Sequence, residues 1–264
     1  MATTPAQYLT SMFSLEGQIA IMTGATGGLG SALAGALAQA GVSNIISIEA
    51  PNDPLSSNLK TAVEEVGGKV TAFHCDLRNA KNLRECYQSI WKTGVEPDIL
   101  INVAGVMRRN LCEDATDDEI DLLFEVNAKA VYISMQEVGR KFMAHSKGGK
   151  IINIASVTSY QAGFNTSVYS STKGAVLQMT KAFSNEWASK GIQVNCIAPG
   201  FMRTAMTAQY QDNPKMIEYL MSRVPAQRWG EPRDLVPAML FLAAPSNTFT
   251  SGACLIVDGG YCGK

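Results

Sequence analysis

The sequence predicts an α/β protein, a doubly wound and mainly parallel sheet with helices on both faces, folded as a single domain. Three observations carry this prediction. Short apolar runs alternate with helix-length patterns along almost the whole chain. The first apolar run ends in a glycine-rich turn, TGATGGLG, and a helical pattern starts directly from it. No linker, repeat or low-complexity stretch interrupts the alternation, and 264 residues do not require a second domain. Residues 1–14 stand outside the pattern as an N-terminal extension, leaving 15–264 as the domain.

Taken in order, QIAIMT (18–23) is the first strand, and SALAGALAQAG continues the glycine turn as a helix. Four glycines fall within seven residues there. Gly24 permits a tight turn, Gly28 lets backbone approach a pyrophosphate, and Gly30 lets the helix pack on the strand. The helix N-terminus then presents free N–H groups and a positive dipole end to phosphate. A dinucleotide site is therefore expected.

The second strand, NIISIE, ends in Glu49. An acid at this distance from the glycine turn can accept hydrogen bonds from the adenosine ribose and would repel a 2′-phosphate. No Arg or Lys lies between Gly24 and Lys60 to bind that phosphate. Both facts favour NAD, with NADP as the alternative.

A helix is expected over 54–66, then a third strand in KVTAFHCD, where His74 reads as a packed core position. Asp76 suits either a hydrogen bond to the adenine amino group or a cap for the helix starting near Asn79. A fourth strand in EPDILINVAG runs into Asn102, Ala104 and Gly105, small enough at the end for a cofactor to lie flat. ATDDEIDLLFEVNAKAVYISMQEVGRKFMAH reads as one long helix, with Asp117, Asp118 and Glu119 suited to its N-terminal dipole. Asn127 falls in its middle, where asparagine is a poor helix former, so it calls for a specific partner such as an ordered water.

KIINIA, the fifth strand, delivers Ser156 to the edge of the sheet, and a helix to about Lys190 follows. That helix carries Tyr169 and Lys173, four residues apart and so on one face. A phenol normally ionises near pH ~10. A fixed cation beside it favours the phenolate, so Lys173 is expected to supply part of the lowering that a general base needs and a positively charged cofactor ring the rest. The sixth strand, IQVNCIAPG, ends at a sharp turn, Pro199–Gly200. Residues 201–229 are polar, Met-rich and irregular, as a lid would be. EPRDLVPAMLFLAA is a helix with proline in its first turn, ACLIVDGG the last strand and YCGK the tail.

Composition excludes several classes. Hydrophobic residues make up 46% and charged residues 17% with a net charge of −1, and the basic residues are scattered. That leaves no electrostatic footprint for nucleic acid or an anionic membrane. Met1 to Ser14 lacks a secretory pattern, and no apolar run approaches the roughly 18 residues of a membrane span. The six cysteines form no CxxC pair and read as free thiols of a reducing cytoplasm. With only His74 and His145, no metal site is expected.

The set TGxxxGxG, NVAG, Asn127, Ser156, YxxxK, PG and VDGG, in this order, resembles the short-chain dehydrogenase/reductase family from Leu15 onward. The resemblance implies a Rossmann-type seven-stranded sheet and an oxidoreductase acting on alcohols or carbonyls. It implies Tyr169 as the acid/base, Lys173 lowering its pKa and binding the nicotinamide ribose, Ser156 polarising the substrate oxygen, and Asn127 holding a water in the proton relay. Cofactor contacts are then expected from Gly24, Thr26, Gly28, Leu29, Gly30, Glu49, Asp76, Leu77, Asn102, Ala104, Gly105, Tyr169, Lys173, Pro199, Gly200, Met202 and Thr204. The resemblance implies tetramers in which the helices 117–145 and 168–189 pack against their copies, with the C-terminal segment around Val257 to Cys262 as the other contact. A homotetramer is therefore expected, and the run Ala175, Val176, Met179, Ala182, Phe183, Trp187 is more apolar than one sheet face needs.

Within the family, VMRRNLCEDA, GGKIINIASVTSYQAG and RVPAQRWGEPRDL resemble 2-deoxy-D-gluconate 3-dehydrogenases and related sugar-acid ketoreductases. Those enzymes tend to carry an arginine in the loop before the tyrosine, where this chain has Asn165. Candidate substrate contacts are Arg108 and Arg109, with Ser156, Gln161 and Arg203, because a guanidinium grips a carboxylate bidentately. The rival readings are a reductase of a secondary-metabolite or steroid-like ketone, and a dinucleotide-binding regulator without catalysis. The intact Ser156, Tyr169, Lys173 and Asn127 weigh against the second.

Overall fold

The apolar runs pair as strands of one sheet. In the computed structural model, which describes residues 4–263, these are β1 (Ile19–Thr23), β2 (Asn44–Glu49), β3 (Val70–His74), β4 (Ile99–Asn102), β5 (Gly149–Ile154), β6 (Ile192–Pro199) and β7 (Cys254–Val257). All pairs are parallel, in the order β3-β2-β1-β4-β5-β6-β7. The chain builds outward from β1 to β3, then returns to β1's other edge and builds the opposite way. The reversal between β1 and β4 is the switch point at which such sheets bind ligands.

Successive side chains of a strand point to opposite faces, so β4 divides its residues between two cores. Leu100 joins the layer containing Leu83 and Tyr87 of α4 (Ala80–Lys92), Val138 of α6 (Ala130–His145) and Val176 of α7 (Ser167–Trp187). Ile99 and Ile101 join the layer containing Leu33 of α2 (Gly28–Gln39), Val63 of α3 (Ser56–Glu64) and Met239 of α10 (Val236–Ala243). The sheet is thus buried on both sides, as parallel sheets require.

Several elements differ from the sequence reading. His74 is exposed, because β3 is an edge strand with a half-open face. The extension forms α1 (Pro5–Phe13), with a capping box between Thr4 and Gln7 and no buried residue. The long helix runs unbroken but not as α-helix throughout: α5 (Asp117–Phe124) passes through a π-helical turn, Glu125–Lys129, into α6. Residues 201–229 contain α8 (Ala208–Gln211) and α9 (Pro214–Arg223), the latter capped by Asn213. Pro232–Leu235 is a 3₁₀ turn leading into α10.

Candidate active site

The glycine turn closes over the C-terminal ends of β1 and β4. Gly24 has φ +69°, and a Cβ there would lie 2.6 Å from the Ala104 backbone. At Gly30 a Cβ would lie 2.0 Å from the Gly24 carbonyl oxygen, so only glycine lets α2 begin this close to β1. The cap residue of α2, Gly27, has no side chain to occupy the helix's free N–H groups. These groups open onto a cleft of about 840 Å³, which is also lined by Glu49, Asp53, Arg78, Gly105 and Thr204.

Glu49 lies on this cleft with 3% exposure, and neither carboxylate oxygen has a hydrogen-bond partner. A buried, unpaired carboxylate is costly, so the cleft presents an acceptor that the protein itself does not satisfy. Ribose hydroxyls are the donors that such an acceptor suits. Together with the uncapped helix end, this fits a dinucleotide: phosphate at α2, ribose at Glu49. Thr26 donates from Oγ1 to Asp53 Oδ2 at 2.7 Å, pinning the glycine turn to the loop after β2. No local sequence signal marks Asp53 for this role.

Asp76 lines the cleft but does not cap the helix that follows. Its carboxylate accepts from Arg78 Nε at 3.0 Å and from Nη2 at 2.6 Å, and this ion pair holds its carboxyl below the usual range. The helix cap is Asn79, whose Oδ1 accepts from the Lys81 and Asn82 N–H groups. No Arg or Lys lies between Gly24 and Lys60, but Arg78 lines the same cleft from a different strand end.

Ser156, Tyr169 and Lys173 do not line this cleft; they lie behind Gly105, which does. Ser156 emerges from β5 and caps the short turn Val157–Ser159, accepting from Thr158 N–H at 3.1 Å. Its hydroxyl acts on the Tyr169 phenol and lowers the phenol's pKa. Lys173 donates from Nζ to the Ile154 carbonyl at 2.7 Å, and Ser159 Oγ donates to the Lys173 carbonyl at 2.7 Å, which clamps α7 to the end of β5. Tyr169 is 8% and Lys173 4% exposed. A Cβ on Gly105 would lie 3.4 Å from Asn127 Oδ1 and 3.6 Å from Lys173 Nζ, so the NVAG glycine faces both side chains.

In the free protein, electrostatics run against the lowering that the Tyr169–Lys173 spacing suggests. Burial pushes the Tyr169 phenol up to about 12, against the lowering effects of the Ser156 hydroxyl and the Arg109 charge. Lys173 does not bring it down. Its ammonium is 5.8 Å from the Tyr169 ring centroid and is turned to the Ile154 carbonyl, while burial pushes its own pKa down to about 8.

Asn127 sits inside the π-helical turn, a distortion common at functional positions. Its Oδ1 accepts from Val106 N–H and its Nδ2 donates to the Val106 carbonyl, each at 2.8 Å. Nδ2 is also 3.3 Å from Thr172 Oγ1. The partner it called for is thus the backbone of the loop after β4.

Residues 24–262 match the family described as enoyl-(acyl carrier protein) reductase. The chain is 37% identical over 257 residues to 2-dehydro-3-deoxy-D-gluconate 5-dehydrogenase of Bacillus subtilis (strain 168), covering 97% of this chain and 99% of the relative. It is 33% identical to 5-keto-D-gluconate 5-reductase of Escherichia coli (strain K12), covering 96% and 98%. The crystal structure of a gluconate 5-dehydrogenase from Burkholderia cenocepacia J2315, in complex with NADP and tartrate, superposes with a TM-score of 0.91 at 33% identity, covering 97% and 99%.

The chain belongs to the short-chain dehydrogenase/reductase family. Like its short-chain relatives it is an NAD(P)-dependent oxidoreductase with a Rossmann-type sheet. No helix among its described residues is long and apolar enough to cross a membrane.

Not every residue expected at the short-chain dehydrogenase site reaches the cleft. Thr26, Gly28, Leu29, Leu77, Ala104 and Thr204 line it. Asn102 instead turns into the sheet and donates to Asn153 Oδ1 at 2.8 Å, and Asn153 in turn donates to Thr180 Oγ1 at 3.0 Å. Pro199 pairs with Val257, a Cβ on Gly200 would lie 2.7 Å from the Asp258 backbone, and Met202 is buried beside Gly230. These three hold the turn that presents Thr204.

The arginines also separate. Arg203 is ion-paired with Glu231 at 3.0 Å. Arg108 is exposed, lines the cofactor cleft and donates to the Met107 carbonyl. Arg109 is half-buried, its Nε is buried without a partner, and its charge acts on Tyr169. Gln161 accepts from Nη2 of Arg223, an α9 arginine, at 3.3 Å.

Proposed function

We propose that this chain interconverts a secondary alcohol and a ketone on a sugar acid of the gluconate type, with Tyr169 as the acid/base. The observation that carries the reading is Arg109: a cation with a buried, unused donor, close enough to Tyr169 for its charge to act on the phenol. A carboxylate-bearing substrate gripped there would have a hydroxyl or carbonyl within reach of Ser156 and Tyr169. The curated relatives named for gluconate derivatives support the same substrate class.

In this reading Ser156 orients the substrate oxygen while Tyr169 gives or takes its proton. Lys173 holds positive charge beneath the nicotinamide ribose, and Asn127 fixes the loop at Gly105 and Val106 against which the cofactor lies. The nicotinamide, when bound, supplies the hydride chemistry. Glu49 favours NAD, although a relative in this family binds NADP. Residues 201–229 serve as the lid, joined to the site through Arg109 and Tyr210.

We place the enzyme in the cytoplasm, in keeping with its six free cysteines. We also assign a homotetramer with two-fold axes. Phe124 and Tyr132 stay 41% and 44% exposed on the helices expected to meet their copies. A monomer mass by light scattering at micromolar concentration would refute that assembly.

The function is tested with purified protein, NAD and NADP, and a panel of hexonates and ketohexonates beside neutral secondary alcohols and ketones. Turnover of the acids well above the neutral compounds supports the reading. Equal turnover of both sets, or turnover of neither, sinks it.

A further inference from the structure

We propose that Arg78 is a latent receptor for a cofactor 2′-phosphate, which Asp76 keeps occupied, so that Asp76 and Glu49 together set the preference for the unphosphorylated cofactor. The inference rests on the reading of the cleft as a dinucleotide site.

The geometry brings the three residues to one rim. Glu49 ends β2, and its carbonyl accepts from Cys75 N–H at 2.7 Å, so the chain beyond β3 starts beside it. Asp76 and Arg78 follow at once, and both line the cleft that Glu49 lines. Arg78 spends Nε and Nη2 on Asp76, at 3.0 and 2.6 Å, while Nη1 has no protein partner among the described residues. Glu125 adds a weaker negative field at the guanidinium.

A 2′-phosphate carries about −2 charge. Beside Glu49 alone it would be repelled. A guanidinium fork suits phosphate oxygens and can hold two of them at once. Arg78 has that fork at the right rim, but its best-placed edge already faces a carboxylate. The Arg78 side chain is 61% exposed, and an ion pair in such a setting is weak and easily exchanged. The device is therefore a bias against NADP and not a bar to it.

Binding measurements without turnover test this. Calorimetry on the full-length protein compares ADP with adenosine 2′-phosphate 5′-diphosphate, which differ by the 2′-phosphate alone, for wild type, Asp76→Asn, Arg78→Ala and the double variant. Asparagine keeps an acceptor for the Arg78 N–H, a 3.0 Å contact in the native turn; Asp76→Ser does the same should the Asn variant fold poorly. The wild type should prefer ADP. Asp76→Asn should tighten adenosine 2′-phosphate 5′-diphosphate by about tenfold or more relative to ADP, since a charge-assisted phosphate contact is worth at least that. The double variant should lose the gain. A change in Asp76→Asn that is equal for both nucleotides, or a gain that survives in the double variant, overturns the proposal alone. If no variant binds ADP, the dinucleotide reading falls and the proposal with it.

Discussion

Arg109 and Tyr210 stack: the guanidinium carbon lies 4.4 Å from the ring centroid. The contact ties the loop after β4 to the first helix of the 201–229 segment. It leaves the Arg109 fork on the tyrosine face while Nε stays buried and unpartnered. A desolvated cation–π pair contributes up to about 2 kcal/mol, and a charge-assisted hydrogen bond about 1.5–3 kcal/mol. Arg109→Ala should therefore raise the acid substrate's KM by about 10- to 100-fold. Tyr210→Ala should raise it several-fold by leaving the arginine unsupported. Lysine at 109 should rescue in part, keeping the charge and losing the fork. Initial rates with varied substrate and saturating cofactor decide this. An unchanged KM in Arg109→Ala would remove the residue from the substrate site.

Tyr169→Phe should keep the fold and cofactor binding while lowering kcat by about 10²- to 10⁴-fold, the usual worth of general acid–base catalysis. The pH dependence has a definite sign. With its pKa pushed up to about 12 in the free protein, Tyr169 is overwhelmingly protonated near neutrality. Ketone reduction needs that proton and alcohol oxidation needs its absence. Oxidation should therefore climb from pH 6 to 9 and reduction should not. Initial rates in both directions would show it, and oxidation falling with rising pH would contradict the assignment.

Strand–helix alternation and the glycine turn are legible in the sequence because both are local: a period, a run of glycines, a strand end. So is the grouping of Ser156, Tyr169 and Lys173, which strand β5 and one helical face bring together. Arg78 is not legible, because the gap between Gly24 and Lys60 says nothing of a residue arriving from a different strand end. The pairing of Asn127 with Val106 is hidden for the same reason: the partners are 21 residues apart and meet only through the π-helical turn. The Tyr169 pKa in the free protein is not legible, because spacing reports that Lys173 is near, and not that its ammonium turns to Ile154 or that burial outweighs charge.

Gly30→Ala should abolish nucleotide binding even where the protein still folds. The added methyl would need space 2.0 Å from the Gly24 carbonyl oxygen, which is backbone and cannot swing aside. Either α2 moves away from β1 or the turn opens, and both displace the helix end from the phosphates. Calorimetry with ADP checks this; wild-type affinity in the variant would exclude close packing as the reason for glycine.

Lys173 should cost the fold stability at neutral pH, a debt owed to its place in the site. Burial pushes its pKa from 10.5 down to about 8, so the folded protein holds this proton less tightly than the unfolded chain does. Between those two values the unfolded state carries more protons, and stability must rise with pH there. Below about pH 8 both states are charged and the full penalty, on the order of 3 kcal/mol, is present. Above 10.5 both are neutral and it is gone. Lys173→Met removes the ammonium and keeps a side chain of similar length, at the loss of one hydrogen bond to the Ile154 carbonyl, worth about 1 kcal/mol. The variant should be inactive and yet at least as stable as wild type at pH 7. Its advantage should shrink as pH rises through 8 to 10.5. Urea unfolding of both proteins at pH 7 and pH 9.5 measures the difference. If wild type is the more stable at pH 7 and the gap does not move with pH, the lysine is held by its hydrogen bond more strongly than burial opposes its charge.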